Sequence, residues 1–166
     1  MKNILDRRSI RKFTDEKIDK ETVLELLKAA MAAPSAGNEQ PWEFVIVDDA
    51  NLLPEFTKYH PHANMITEAS WGVLVCGDKN RDKLQGYLPQ DLAAATLNIL
   101  LAAHAKGLGG VWLGVYPREE RVEAYRKIIN APENIVPFAL IAIGHPAEDK
   151  KPSNRYDESR IHHNSW

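Results

Sequence analysis

The chain has 166 residues, 44% of them hydrophobic, with a formal net charge of −2. That length suits one domain spanning residues 1–166, and the apolar fraction can fill one core. The near-neutral balance excludes a general affinity for nucleic acid, and the most apolar stretch, Leu92–Ala105, is too short to span a bilayer.

The N-terminal run Met1–Lys12 is charged and lacks the apolar core of a signal peptide. Its basic residues cluster at Arg7, Arg8, Arg11 and Lys12, which suits one small anion better than a polymer. Asp19 is placed to cap a helix over Lys20–Ala32, whose Val23, Leu26, Leu27 and Ala30 fall on one face. Pro34 stops that helix, and Pro34–Pro41 reads as a turn-rich loop. Strands are predicted over Glu43–Val47 and Gly72–Cys76. Cys76 is the one cysteine and cannot form an internal disulfide, which points to a reducing, cytoplasmic setting.

The strongest predicted helix is Asp91–Lys106, apolar nearly all round from Leu92 to Leu101. In a chain this small such a helix cannot hide every face within one subunit, so burial against a second copy is expected. Gly107 caps it, and Val111–Val115 makes a third strand. Pro117 is expected to open a helix reaching Ile129, with Glu119 and Glu120 in its first turn, and Val136–Ile143 to form a fourth strand. The polar tail runs from His145 to Trp166. The order of elements lacks a clean βαβαβ series and indicates an α+β fold, a central sheet flanked by helices.

Three segments have chemistry to offer. In an extended Arg7-Arg8-Ser9-Ile10-Arg11, side-chain alternation puts Arg7, Ser9 and Arg11 on one side as a phosphate clamp; taken alone, the segment reads as a solvated basic end. In Pro34–Trp42, Ser35, Asn38 and Gln40 offer groups that read the edge of a planar heterocycle; taken alone, this is a helix-terminating loop. The glycines of Gly107–Gly114 follow a helix and open a strand, the reverse of a dinucleotide-binding fingerprint. His60-Pro-His62 and His162-His163 lack Cys or acidic partners at ligand spacing, so no metal is expected, and loop histidines at the surface or lining a pocket are the better reading. The four tryptophans read as core or interface residues, and Arg118–Arg121 as an exposed helix face.

Taken together, Arg7-Arg8-Ser-x-Arg11, PSAGNEQPW, GLG-x-x-W-x-G, Pro132–Pro137 and Gly144-His-Pro146 closely resemble the FMN-dependent nitroreductase family over nearly the whole chain. The resemblance implies a central, mostly antiparallel sheet in an intertwined homodimer, with FMN at the subunit interface and NAD(P)H as co-substrate. It implies that Arg7, Arg8 and Ser9 hold the FMN phosphate and ribityl chain, with Arg155 as the C-terminal phosphate ligand and Arg11 near the pyrimidine edge. Pro34, Ser35 and Ala36 would come from the partner subunit, with Asn38 and Gln40 on the polar side of the ring. Leu113 and Gly114 match the turn whose backbone N–H faces flavin N5. No catalytic side chain is implied, because the flavin carries the chemistry. The activity implied is ping-pong hydride transfer to nitroaromatic, quinone or flavin acceptors. An ene reductase or dehalogenase on the same scaffold, and a flavin carrier or redox sensor without turnover, stand as alternatives. The stretch between the first two strands is shorter than in longer members, and His60–Asn64 stands where those members place polar flavin contacts. Tyr59–Met65 and Gln85–Leu88 are the segments expected to line the acceptor pocket.

Overall fold

The structure, a computed structural model, describes residues 1–166. Its elements in chain order are α1 (Lys2–Asp6), α2 (Lys20–Met31), β1 (Trp42–Val47), α3 (Leu53–Thr57), β2 (Trp71–Asp78), α4 (Leu88–Ala105), β3 (Gly109–Gly114), α5 (Glu119–Ile128) and β4 (Ile135–Gly144). Single 3₁₀ turns lie at Ala36–Asn38, Asn64–Thr67 and Glu158–Arg160.

The four strands form one antiparallel sheet in the order β1-β2-β4-β3, so β1 and β3 are its edges. Alternation along β2 divides the core. Val73 and Val75 pack towards α2 and α4, whereas Leu74 and Cys76 pack towards α3 and α5. Burial pushes the Cys76 thiol up to about 12, so it is neutral packing. Each strand runs one or two residues beyond its predicted apolar run at one or both ends, except that β3 stops at Gly114, one residue short of the predicted Val115. The ladder continues through end pairs such as Trp42 with Gly77 and Asp78 with Ile135.

Helix α2 begins as expected. Asp19 accepts the Thr22 N–H at 2.7 Å, and that bond holds its carboxylate below the usual range. Val23, Leu26, Leu27 and Ala30 are its buried residues.

Helix α4 starts three residues before the predicted Asp91, at Leu88. Pro89 sits in the first turn, where a helix loses nothing by lacking an N–H. Its end is a Schellman motif: Gly107 at φ +77° donates to His104 C=O, and Leu108 N–H donates to Ala103 C=O at 2.9 Å. The helix buries Leu92, Ala95, Ile99 and Ala103 against the sheet and α2, yet Leu97 stays 44% exposed and Ala93, Ala94 and Leu101 are half-buried.

Helix α5 opens at Glu119 rather than Pro117, because Arg118 is extended at ψ 99°. The short helices α1 and α3 carry too few turns for hydrophobic periodicity to announce them. The tail crosses back over residues 11–14. Thr14 N–H donates to His145 C=O and Ala147 N–H to Lys12 C=O, each at 2.9 Å. Trp166 does not join the core: it is 99% exposed and stacks on His162. No helix is long and apolar enough to cross a membrane.

Candidate functional site

The basic segment lies along the open edge of β3. Ile10 N–H donates to Gly110 C=O at 3.1 Å, and Ser9 forms a parallel bridge with Gly110. A Cβ on Gly109 would stand 2.7 Å from Ile10 Cγ2, so glycine permits this close approach. The grouping of guanidiniums differs from the alternation expected. Arg7 lies at the end of α1, and its charged neighbours are Arg155 and Arg8 rather than Arg11. Burial first, then these two cations, lower the proton affinity of Arg7. Its Nη1 is buried and has no hydrogen-bond partner in the protein. Arg8 donates to Lys151 C=O, and Lys150 Nζ donates to Ser9 C=O at 2.8 Å, which lays the tail beside the cluster. Arg11 is exposed, with its backbone N–H 2.5 Å from Glu148 Oε1. Mutually repelling guanidiniums beside a serine, one with a buried and unpartnered Nη1, fit a phosphate dianion, which supplies bidentate acceptors and cancels the repulsion.

The Pro34–Pro41 loop is built differently. Ala36 N–H donates to Asp91 Oδ1 at 3.0 Å, and Gln40 N–H donates to Ser35 Oγ at 3.0 Å. Asn38 and Gln40 both have positive φ, and Gln40 Nε2 donates to Asn38 Oδ1 at 3.2 Å. Glu39 accepts the N–H groups of Lys83 and Leu84. Pro34, Asn38 and Gln40 are exposed, and Ser35 and Ala36 half-buried. Asp91, 5% exposed, anchors this loop at the first turn of α4 and keeps Oδ2 buried without a partner. Sequence reasoning missed it, because an acid in a first turn ordinarily serves the helix dipole.

Leu113 and Gly114 close strand β3 rather than forming a turn. Val115 N–H donates to Phe138 C=O on one side of this strand, and Gly110 C=O accepts from Ile10 on the other. The alternation therefore puts the backbone groups of Gly110, Trp112 and Gly114 on the open edge. No atom lies within 4 Å of a Cβ position on Gly114, so a planar ring can approach that backbone.

Two residues beside Gly114 depart from expectation. Arg121 turns inward from its supposedly exposed run: Nη1 donates to Gly114 C=O at 2.9 Å and Nε to Tyr59 C=O at 3.1 Å. His60 is buried rather than at the surface, and burial followed by the Arg121 charge lowers its proton affinity. No local pattern announces this, since Tyr59 and Arg121 stand 62 residues apart. Gln85 and Leu88 line a cleft of about 650 Å³ with Tyr116 and Phe138. No three His, Cys, Asp or Glu side chains converge anywhere.

Within one chain the loop and the arginines sit at opposite ends of α4. Ala36 is tied to Asp91, whereas Arg8 and Ile10 adjoin His104 and Leu108. At 1.5 Å per residue, Asp91 and His104 are roughly 20 Å apart.

The chain belongs to the nitroreductase family, whose model matches residues 4–74 and 62–145. It is 45% identical over 170 residues to an Archaeoglobus fulgidus protein with the provisional name NADH dehydrogenase/NAD(P)H nitroreductase, covering 100% of this chain and 98% of that one. Its fold superposes on an FMN-dependent nitroreductase from Clostridium difficile R20291 with TM-score 0.91 and 30% identity, covering 100% of each chain. A provisionally named nitroreductase from Desulfovibrio desulfuricans, solved in complex with FMN, matches with TM-score 0.86 and 30% identity, covering 99% of this chain and 96% of that chain.

Proposed function

We propose that the protein is an NAD(P)H-dependent oxidoreductase, one domain per chain, that binds FMN non-covalently between two copies. The observation that carries this reading is Arg7, a half-buried guanidinium with a buried, unpartnered Nη1 whose neighbours Arg155 and Arg8 are also cations. In this reading Arg7, Arg8, Ser9 and Arg155 hold the phosphate and ribityl chain, and Arg11 stands at the pyrimidine edge. Leu113 and Gly114 present the open edge of β3 to flavin N5. Pro34, Ser35 and Ala36 of the second copy complete the pocket, with Asn38 and Gln40 beside the polar side of the ring. The separation of loop and arginines along α4 supports that division of labour, as does the half-open apolar face around Leu97. When bound, FMN supplies the two-electron chemistry, and the protein supplies binding, orientation and electrostatics. NAD(P)H and an acceptor of the nitroaromatic, quinone or flavin class use the same cleft in turn. The single buried thiol suits a reducing, cytoplasmic setting.

The test is a titration of purified protein with FMN, followed by anaerobic addition of NADH or NADPH. Stoichiometric binding and bleaching of the flavin's visible band are expected, with colour restored by nitroaromatic or quinone. Protein that takes up no FMN refutes the reading. Protein that binds FMN but is never bleached is a flavin-binding module without turnover.

A further inference from the structure

The last backbone groups of an edge strand have no ladder to hold them on the open side. At Gly114 they are held by a side chain from elsewhere. Its C=O accepts from Arg121 Nη1 at 2.9 Å, while Nε of the same guanidinium takes Tyr59 C=O at 3.1 Å. One planar cation thereby joins α5, the loop before β2 and the end of β3. Its rigid fork spans two carbonyls, which an ammonium group does not reproduce. Gly114 has no side chain and no packing neighbour within 4 Å of its Cβ position, so the backbone is the only handle by which it can be fixed.

We propose that Arg121 is a positioning residue: it holds residue 114 so that its N–H faces a planar ligand at the edge of β3. Arg121 does not have to touch that ligand. The inference rests on the FMN reading of this edge and adds to it the group that orients the backbone donor. A purely architectural role would lower stability and leave the ligand's contact with Gly114 unchanged in the folded protein. A positioning role alters that contact selectively.

The experiment is amide NMR of ¹⁵N-labelled protein titrated with FMN, comparing the shifts of Gly114 and Ser9. In the native protein both amides move. In R121Q the Gly114 shift is lost while the Ser9 shift persists, and FMN affinity falls by up to about tenfold, the loss of one neutral backbone hydrogen bond from Gly114 N–H to the ligand. R121K, which can serve one carbonyl, recovers part of the Gly114 shift. Should R121Q fail to fold, R121K decides the matter. Native-sized Gly114 shifts in the folded variants overturn the inference, as does a native protein in which Ser9 responds to FMN and Gly114 does not. A native protein in which neither amide responds overturns the FMN reading and this inference with it.

Discussion

The two ends of α4 carry the two halves of the candidate site, and the chain satisfies them unequally. At its first turn the Pro34–Pro41 loop is closed on itself, with N–H groups met by Asp91, Ser35 and neighbouring carbonyls. At its last turn Arg7, Arg8 and Arg155 crowd together, and the Arg7 Nη1 meets no acceptor. The loop is a finished surface, whereas the arginine cluster gains most from an anion. The difference teaches which end supplies affinity and which end supplies shape.

Breaking the arginine end has the largest expected effect. R7A/R155A removes charge-assisted hydrogen bonds of about 1.5–3 kcal/mol each, so FMN affinity falls by a hundredfold or more in a fluorescence titration. Because these cations repel one another in the ligand-free protein, the melting temperature of that double variant stays level or rises. A double variant that loses stability and keeps FMN would reverse the comparison.

The middle of α4 is next. L97D forfeits the roughly 1 kcal/mol gained by covering the 44% of Leu97 that one chain leaves exposed and adds the cost of burying a carboxylate. Light scattering at micromolar concentration is expected to show monomers, with weaker FMN binding because loop and arginines no longer meet across copies. An unchanged dimer would place the interface elsewhere.

At the loop end, D91A strips the acceptor from Ala36 N–H, a loss of about 1–3 kcal/mol and several degrees in the melting temperature. D91N keeps a carbonyl acceptor and is milder. Equal damage from both would show that the charge of Asp91, rather than its hydrogen bond, supports the loop.

The smallest expected effect is a pH dependence at His60, which is buried near Arg121 and His62. Its proton affinity is lowered in the folded state, so on acidification the unfolded chain binds the proton first. Stability, read as melting temperature, therefore declines as the pH falls below the ordinary imidazole range near 6.5, and the decline ends once the folded-state ring protonates. Melts of H60Q over the same range should lack this slope.

Much of the architecture was legible in the chain itself. The Asp19 cap, the four buried positions of α2, the glycine stop of α4 and all four strands follow from short-range rules. The reversed order of glycines and strand correctly excluded a dinucleotide fold. The misses have physical causes. Pro89 lets α4 begin early, and α1 and α3 are too short to show a period. Arg121 looks exposed in a charged run until its partners across the fold are known.

By itself the sequence determined where helices and strands form and which of their faces are apolar, because capping, periodicity and φ preference act within a few residues. Only the tertiary structure decided that the Arg7 Nη1 is buried without a partner, that Asp91 anchors Ala36, and that Arg121 reaches the carbonyls of Gly114 and Tyr59. Those meetings depend on strand order and on the path of the tail, and no pattern within a few residues encodes a contact between groups that far apart.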